Sequence, residues 1–237
     1  MVSYIFLLCN RTKAFILAGG KGERLHPLTK TIPKPLVEVN GISILDRIIK
    51  FLKDANIYDI YISVGYLSFQ IEKHIKKYRQ TEINIYIIKE DIPLGTAGPL
   101  SLLKNVDDDL IVINGDILTD VNFKDFYQFY NKNDSLVTIL TIPLTTSIPF
   151  GVLTVNENQN ITMIEEKPKI KNYISGGCYI FNKEIIKKVP KNKNLKMTDF
   201  LEKLINDNIS ISSYVHNGVW IDAGTWEDLK KAKSIFL

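Results

Sequence analysis

Between residues 13 and 142 the chain alternates short, nearly continuous apolar runs with stretches whose apolar residues recur at helical spacing. Leu110-Ile111-Val112-Ile113-Asn114 is the purest of the runs. A strand with no polar alternation needs cover on both faces, as in a parallel sheet flanked by helices. The pattern predicts strands at 13–18, 60–64, 83–88, 110–114 and 136–142. It predicts helices at 44–55, where Ile44, Leu45, Ile48, Ile49 and Leu52 share a face, and at 69–78, 96–103 and 123–130. Such alternation implies βαβ units and an α/β fold with a mostly parallel sheet. After residue 142 the rhythm changes. Strands at 151–155, 161–166 and 177–181 have short polar links, which suits antiparallel pairing, and helices at 198–206 and 225–234 flank a strand near 210–215.

No repeat, low-complexity tract or linker divides the 237 residues. The expectation is one domain over 13–237, a nucleotide half followed by a substrate half, with 1–12 as an extension or a mis-assigned start. The apolar run at 4–9 is far short of the roughly 20 residues of a membrane span, and no basic region precedes it. Thirty Lys and Arg against 26 Asp and Glu leave +4, scattered along the chain, so neither nucleic acid nor a membrane is an expected partner. Cys9 and Cys178 make no disulfide framework, and His26, His74 and His216 show no metal spacing. A reducing, cytoplasmic setting is the simplest expectation.

The first strand runs into Leu17-Ala18-Gly19-Gly20-Lys21-Gly22-Glu23-Arg24-Leu25. Gly19, Gly20 and Gly22 let backbone N–H groups approach phosphate oxygens, and Arg24 can add a bidentate contact. The pattern is neither a Walker loop nor the dinucleotide fingerprint. A purely structural turn explains the glycines equally well, but the carboxyl end of a strand is where open α/β sheets bind ligands. In Pro33-Lys34-Pro35-Leu36-Val37 the prolines are expected to hold Lys34 in a stiff, extended, non-helical segment. That lysine could meet a polyphosphate or simply be an exposed loop residue.

Glu90-Asp91-Ile92-Pro93-Leu94-Gly95-Thr96-Ala97-Gly98 ends a strand and opens a helix. Gly95 could bring backbone to a base, and Thr96 could cap the helix it precedes. Asn114-Gly115-Asp116 ends the purest strand, and Asp222 lies in Val219-Trp220-Ile221-Asp222-Ala223-Gly224-Thr225. Two such carboxylates would suit Mg²⁺ if the fold brought them together. Glu165-Glu166-Lys167-Pro168 could face a sugar phosphate or be a charged strand end. Asp107-Asp108-Asp109 matches the Asp-x-Asp of glycosyltransferases, but it precedes its strand and reads better as a solvated turn.

Taken in order over 13–237, these motifs resemble the sugar-phosphate nucleotidyltransferases. The resemblance implies a Rossmann-like three-layer α/β sandwich with a mostly parallel, mixed sheet. It implies Mg²⁺, a nucleoside triphosphate and a sugar 1-phosphate whose oxygen attacks the α-phosphorus while pyrophosphate leaves. On the matching positions, Leu17, Ala18, Gly19, Gly20, Gly22 and Gly95 would bind nucleotide, and Arg24 and Lys34 would polarise phosphates. Asp116 and Asp222 would hold Mg²⁺, with Asp116 also catalytic, and Gly151, Glu166 and Lys167 would face the sugar phosphate.

Within the family, residues 90–100 look most like the mannose-1-phosphate guanylyltransferases, which makes GTP with mannose 1-phosphate the expected pair. Glucose-1-phosphate thymidylyl- or uridylyl transfer is the alternative. Ser175-Gly176-Gly177 stands where many relatives have Asn-Ala-Gly, and Glu23 where Thr is common. The first departure leaves open a non-catalytic, nucleotide-sugar-binding regulatory subunit. The chain stops where many relatives continue into a left-handed β-helix, so acetyl transfer and helix-mediated trimers are not expected. Another form of homo-oligomer stays open.

Overall fold

A computed structural model of the chain describes residues 12–236. Cys9, the apolar run at 4–9 and all of the expected extension except Thr12 lie outside the described residues. Past β1 (Lys13–Ala18), the short strands β2 (Glu38–Val39) and β3 (Ile42–Ser43) pair as a hairpin of their own. The central sheet has seven strands, in spatial order β12 (Ile211–Val215), β8 (Val137–Ser147), β11 (Lys169–Phe181), β6 (Leu110–Asn114), β1, β4 (Asp59–Val64) and β5 (Asn84–Lys89). Strand β11 runs antiparallel to both neighbours, and the other pairs are parallel.

Alternate residues of β1 serve opposite faces. Ala14, Ile16 and Ala18 join a core with Ile44, Leu45, Ile48 and Ile49 of α1 (Ile44–Asp54) and Phe123 and Phe126 of α3 (Phe123–Lys132). Phe15 joins a second core with Ile185 and Ile186 of α4 (Lys183–Ile186) and Phe200, Leu201 and Leu204 of α5 (Met197–Asn206). Helices therefore cover both faces of the sheet in three layers, which is why the central runs are apolar throughout.

Capping explains several helix starts. Ser43 accepts from the Asp46 N–H at the head of α1, and Asn122 accepts from the Lys124 and Asp125 N–H groups at the head of α3. The carboxylate of Asp46 also accepts from Lys77 and Tyr78 and meets His74, which ties α1 to α2 (Ser68–His74) and the 3₁₀ turn Ile75–Tyr78. Those donors outweigh the effect of burial and pull the Asp46 pKa down to about 2.

Three expectations need correction. The helix expected at 96–103 is only a 3₁₀ turn, Gly98–Leu102, entered through Pro99. The strand expected at 177–181 is the end of the 13-residue β11, whose register breaks between Ser175 and Tyr179. The helix expected at 69–78 tightens to a 3₁₀ turn after His74. Beyond the central sheet, β9 (Val152–Val155) and β10 (Ile161–Glu165) pair as an antiparallel hairpin. The short strands β7 (Ile117–Thr119) and β13 (Trp220–Asp222) form another antiparallel pair, and α6 (Trp226–Ile235) follows. Among the described residues no helix is long and apolar enough to cross a membrane.

Candidate active site

The parallel strands β1, β4, β5 and β6 end on the same edge, and their following loops surround a cleft of about 890 Å³. Leu17 to Arg24 line it from β1, Gly65 and Tyr66 from β4, Glu90, Asp91 and Pro93 from β5, and Gly115 and Asp116 from β6. Lys34, Pro35 and Gly224 complete the wall. The cleft thus lies where open α/β sheets bind ligands.

Each glycine of the first loop has its own reason. A side chain at Gly19 would run into the Glu90 carboxylate. Gly22 is left-handed at φ 64 and opens the 3₁₀ turn Glu23–Leu25, with its carbonyl accepting from Thr29 Oγ1 at 2.7 Å. A Cβ on Gly20 would meet open space, so the fold itself does not require glycine there. A ligand backbone or phosphate can approach closely at that point.

Lys34 is where the sequence expectation fails in detail. Pro33 is extended, but Lys34 itself begins a 3₁₀ turn, Lys34–Leu36. Proline is tolerated in a first turn because its missing N–H would have no partner there. The turn buries Lys34 to 7% exposure, so it is no exposed loop lysine. Its Nζ donates to Asp116 Oδ2 and to Asp222 Oδ1, the latter at 3.4 Å. Arg24 reaches the other Asp222 oxygen at 3.6 Å. A Cβ on Gly224 would stand 2.7 Å from that guanidinium, so the glycine makes room for the Arg24–Asp222 pair.

Sequence spacing left the convergence of Asp116 and Asp222 undetermined. The β7–β13 pair supplies it, with Asp222 in register with Ile117 and the Ala223 N–H donating to the Asp116 carbonyl. Gly115 allows the turn by bringing its N–H onto the Leu17 carbonyl at 2.8 Å, where a Cβ would clash. Among the described residues no group of three or more His, Cys, Asp or Glu side chains could hold a metal ion. Two partly exposed carboxylates, Asp116 in the cleft wall and Asp222 on the same lysine, still fit Mg²⁺, which keeps waters and takes phosphate oxygens as further ligands.

Gly151, Glu166 and Lys167 are brought together elsewhere. They flank the base of the β9–β10 hairpin, with Lys167 Nζ 3.7 Å from Glu166 and both side chains about 70% exposed. None of the three lines the cleft. Ser175 bonds to the Tyr179 hydroxyl at 2.9 Å, and Gly176 packs on Leu140 while its carbonyl accepts from Trp220 Nε1. Asp108 pairs with Lys13, and Asp109 accepts from Tyr130 and from the Lys183 N–H. That triplet is tied into the opposite end of the sheet rather than being a merely solvated turn, and it is no Asp-x-Asp site.

Two residues that sequence reasoning gave no role belong to the cleft. Tyr66 lines it and donates from its backbone to the Gly19 carbonyl. Glu90 is half-buried against Gly19, its Oε2 accepting from the Leu94 N–H at 3.2 Å. Burial raises its carboxyl pKa, and the Leu94 amide partly opposes that. In the sequence Glu90-Asp91 looks like any charged strand end, so nothing local marks it.

A family model described as nucleotidyl transferase matches residues 13–237. The catalytic subunit beta of mannose-1-phosphate guanylyltransferase from Drosophila melanogaster is 32% identical over 96% of this chain and 63% of its own length. A mannose-1-phosphate guanyltransferase from Neurospora crassa is 33% identical over 95% and 64%. The chain therefore spans somewhat under two thirds of the curated relatives it matches. HddC from Yersinia pseudotuberculosis, solved with GMP-PN, superposes with a TM-score of 0.72 at 29% identity, over 95% of this chain and 99% of that one.

Proposed function

This chain belongs to the nucleotidyl transferase family, and from that premise we propose that it joins a nucleoside triphosphate to a sugar 1-phosphate, releasing pyrophosphate, with GTP and mannose 1-phosphate as the pair. The observation that carries the reading is the buried Lys34 held between Asp116 and Asp222 at the edge of the cleft.

In the proposed reaction a sugar-phosphate oxygen forms a bond to the α-phosphorus as the bond from that phosphorus to the bridging oxygen of pyrophosphate breaks. No covalent enzyme intermediate is needed, so positioning and charge stabilisation do the work. The open backbone at Gly20 admits the phosphates, and Arg24 and Lys34 offset charge on their oxygens. Asp116 and Asp222 would hold Mg²⁺, which supplies further positive charge at the phosphates. Gly151, Glu166 and Lys167 receive the sugar phosphate in the same reading. The whole cluster of Arg24, Lys34, Asp116 and Asp222 is assembled, which favours an enzyme over a non-catalytic regulatory subunit.

Glu90 supports guanine. An ionised carboxylate only accepts hydrogen bonds. The pairing edge of guanine presents two adjacent donors, N1–H and N2–H. The edge of uracil or thymine has one N–H between two carbonyl oxygens, which a carboxylate repels. The names of the guanylyltransferase relatives point the same way.

The test is pyrophosphate release across the NTPs against glucose, mannose, glucosamine, N-acetylglucosamine and heptose 1-phosphates. GTP with mannose 1-phosphate is expected to give the highest kcat/KM, and Glu90→Gln to erase most of the preference for GTP. Because the Glu90 pKa is raised, its protonation on acidification removes an acceptor, so the KM for GTP rises as pH falls. No release from any pair would overturn the reading.

A further inference from the structure

We infer that the loop beside Glu90 is held in place by residues 193–197, making Thr96 and Asn194 positioning residues for base recognition. The inference rests on the reading of the cleft as the nucleotide site.

The two segments are about a hundred residues apart and are laced together. The Leu195 N–H donates to the Leu94 carbonyl at 2.9 Å, and the Leu195 carbonyl accepts from the Ala97 N–H at 2.9 Å and the Gly98 N–H at 3.3 Å. Asn194 Nδ2 donates to the Pro93 carbonyl at 2.9 Å. Thr96 Oγ1 accepts from the Met197 N–H at 2.7 Å. That last bond corrects the sequence expectation. Thr96 does not cap the helix it precedes; it caps α5, whose own N-cap residue, Lys196, makes no side-chain cap bond.

The glycines of this loop answer to the same partner. A Cβ on Gly95, already left-handed at φ 76, would stand 2.5 Å from the Leu195 carbonyl oxygen, and one on Gly98 would stand 2.5 Å from that of Lys193. The protein's own backbone thus accounts for both, with no ligand needed. Leu94, 2% exposed, is the link to the cleft. Its carbonyl is held by Leu195, and its N–H donates to Glu90 Oε2. Loosening the lacing therefore shifts the donor that orients the carboxylate. The loop serving the cleft is thus clamped by the segment that leads into α5, across about a hundred residues of sequence.

Thr96→Val removes the acceptor at similar volume, Thr96→Ser restores it, and Asn194→Ala removes one exposed bond with little risk to folding. In Thr96→Val and Asn194→Ala we expect the KM for GTP to rise about tenfold, the scale of one hydrogen bond to a charged group. The GTP-over-UTP ratio of kcat/KM should narrow by a similar factor. The kcat and the KM for the sugar phosphate should stay within about twofold, and Thr96→Ser should behave as wild type. An unchanged GTP KM and ratio, with only a lower melting temperature, would overturn the proposal. If the wild-type chain turns over no nucleotide, the functional reading fails separately. Amide exchange at Leu94, Ala97 and Gly98 then decides the lacing: faster exchange in both variants supports it, and unchanged exchange refutes it.

Discussion

Two lysine–carboxylate pairs in this molecule have the same chemistry and opposite surroundings. Lys34 with Asp116 has side chains 9% and 26% exposed, while Lys167 with Glu166 has 68% and 71%. The first is fixed by a proline-flanked turn, a strand end and a second carboxylate. The second stands at the foot of a hairpin whose strands are largely exposed, including Leu153, Ile161 and Ile164. A buried charge depends on its partner, and an exposed pair contributes little. On the proposed reading, the nucleotide side is therefore organised before substrate arrives, and the sugar-phosphate side lies open to solvent.

The contrast breaks most directly at Lys34. Lys34→Ala leaves Asp116 and Asp222 without the lysine they share, and on the proposed reading pyrophosphate release should fall about 10²–10³-fold, the scale of losing one preorganised charge-stabilising group. A kcat/KM near wild type would mean that the buried pair is only structural.

A smaller effect tests the scaffold beside the cleft. Asp46 is 16% exposed with its pKa lowered to about 2 from 3.8, which corresponds to about 2 kcal/mol. Because the folded pKa is depressed, that stability is present above about pH 4 and lost as pH falls towards 2. Asp46→Asn should flatten this part of the acid-unfolding curve followed by circular dichroism.

The smallest effect lies at the exposed pair. Lys167→Ala should raise the KM for the sugar 1-phosphate about tenfold while leaving GTP affinity and melting temperature unchanged, as expected for a surface charge that meets only substrate. An equal rise in the KM for GTP would erase the division between the two sides.

How legible each part was follows the range of the forces involved. The β1, β4 and β6 runs were readable because two-sided burial leaves a nearly unbroken apolar signature, and the edge strand β5, only partly buried, because Ile85, Ile87 and Ile88 still pack on the two cores. Most of β11 was not, since residues 169–175 are polar or exposed apart from the half-buried Ile174, and Gly176-Gly177 looks like a break. The Lys34 turn was misread because two prolines suggest extension, whereas the second one fits the first turn of a 3₁₀ helix. Asp116, Asp222, Arg24 and Lys34 were all legible as candidates. Their meeting was not, because it depends on two three-residue strands with no periodicity to detect. Glu90 and Leu195 were hidden for a related reason, as Glu90 meets Gly19 and Leu195 meets Leu94, Ala97 and Gly98 only through the fold.

The β7–β13 pair also sets a schedule. Asp222 is 188 residues downstream of the lysine it meets. During synthesis the first strands and helices can emerge and pack while Lys34 and Asp116 still wait for their third member. Until β13 has been made and has paired with β7, Lys34 has only one of its two carboxylates. The charge cluster is thus completed well after β1, β4, β5 and β6 have been made, and a chain stalled before β13 would hold those strands without it.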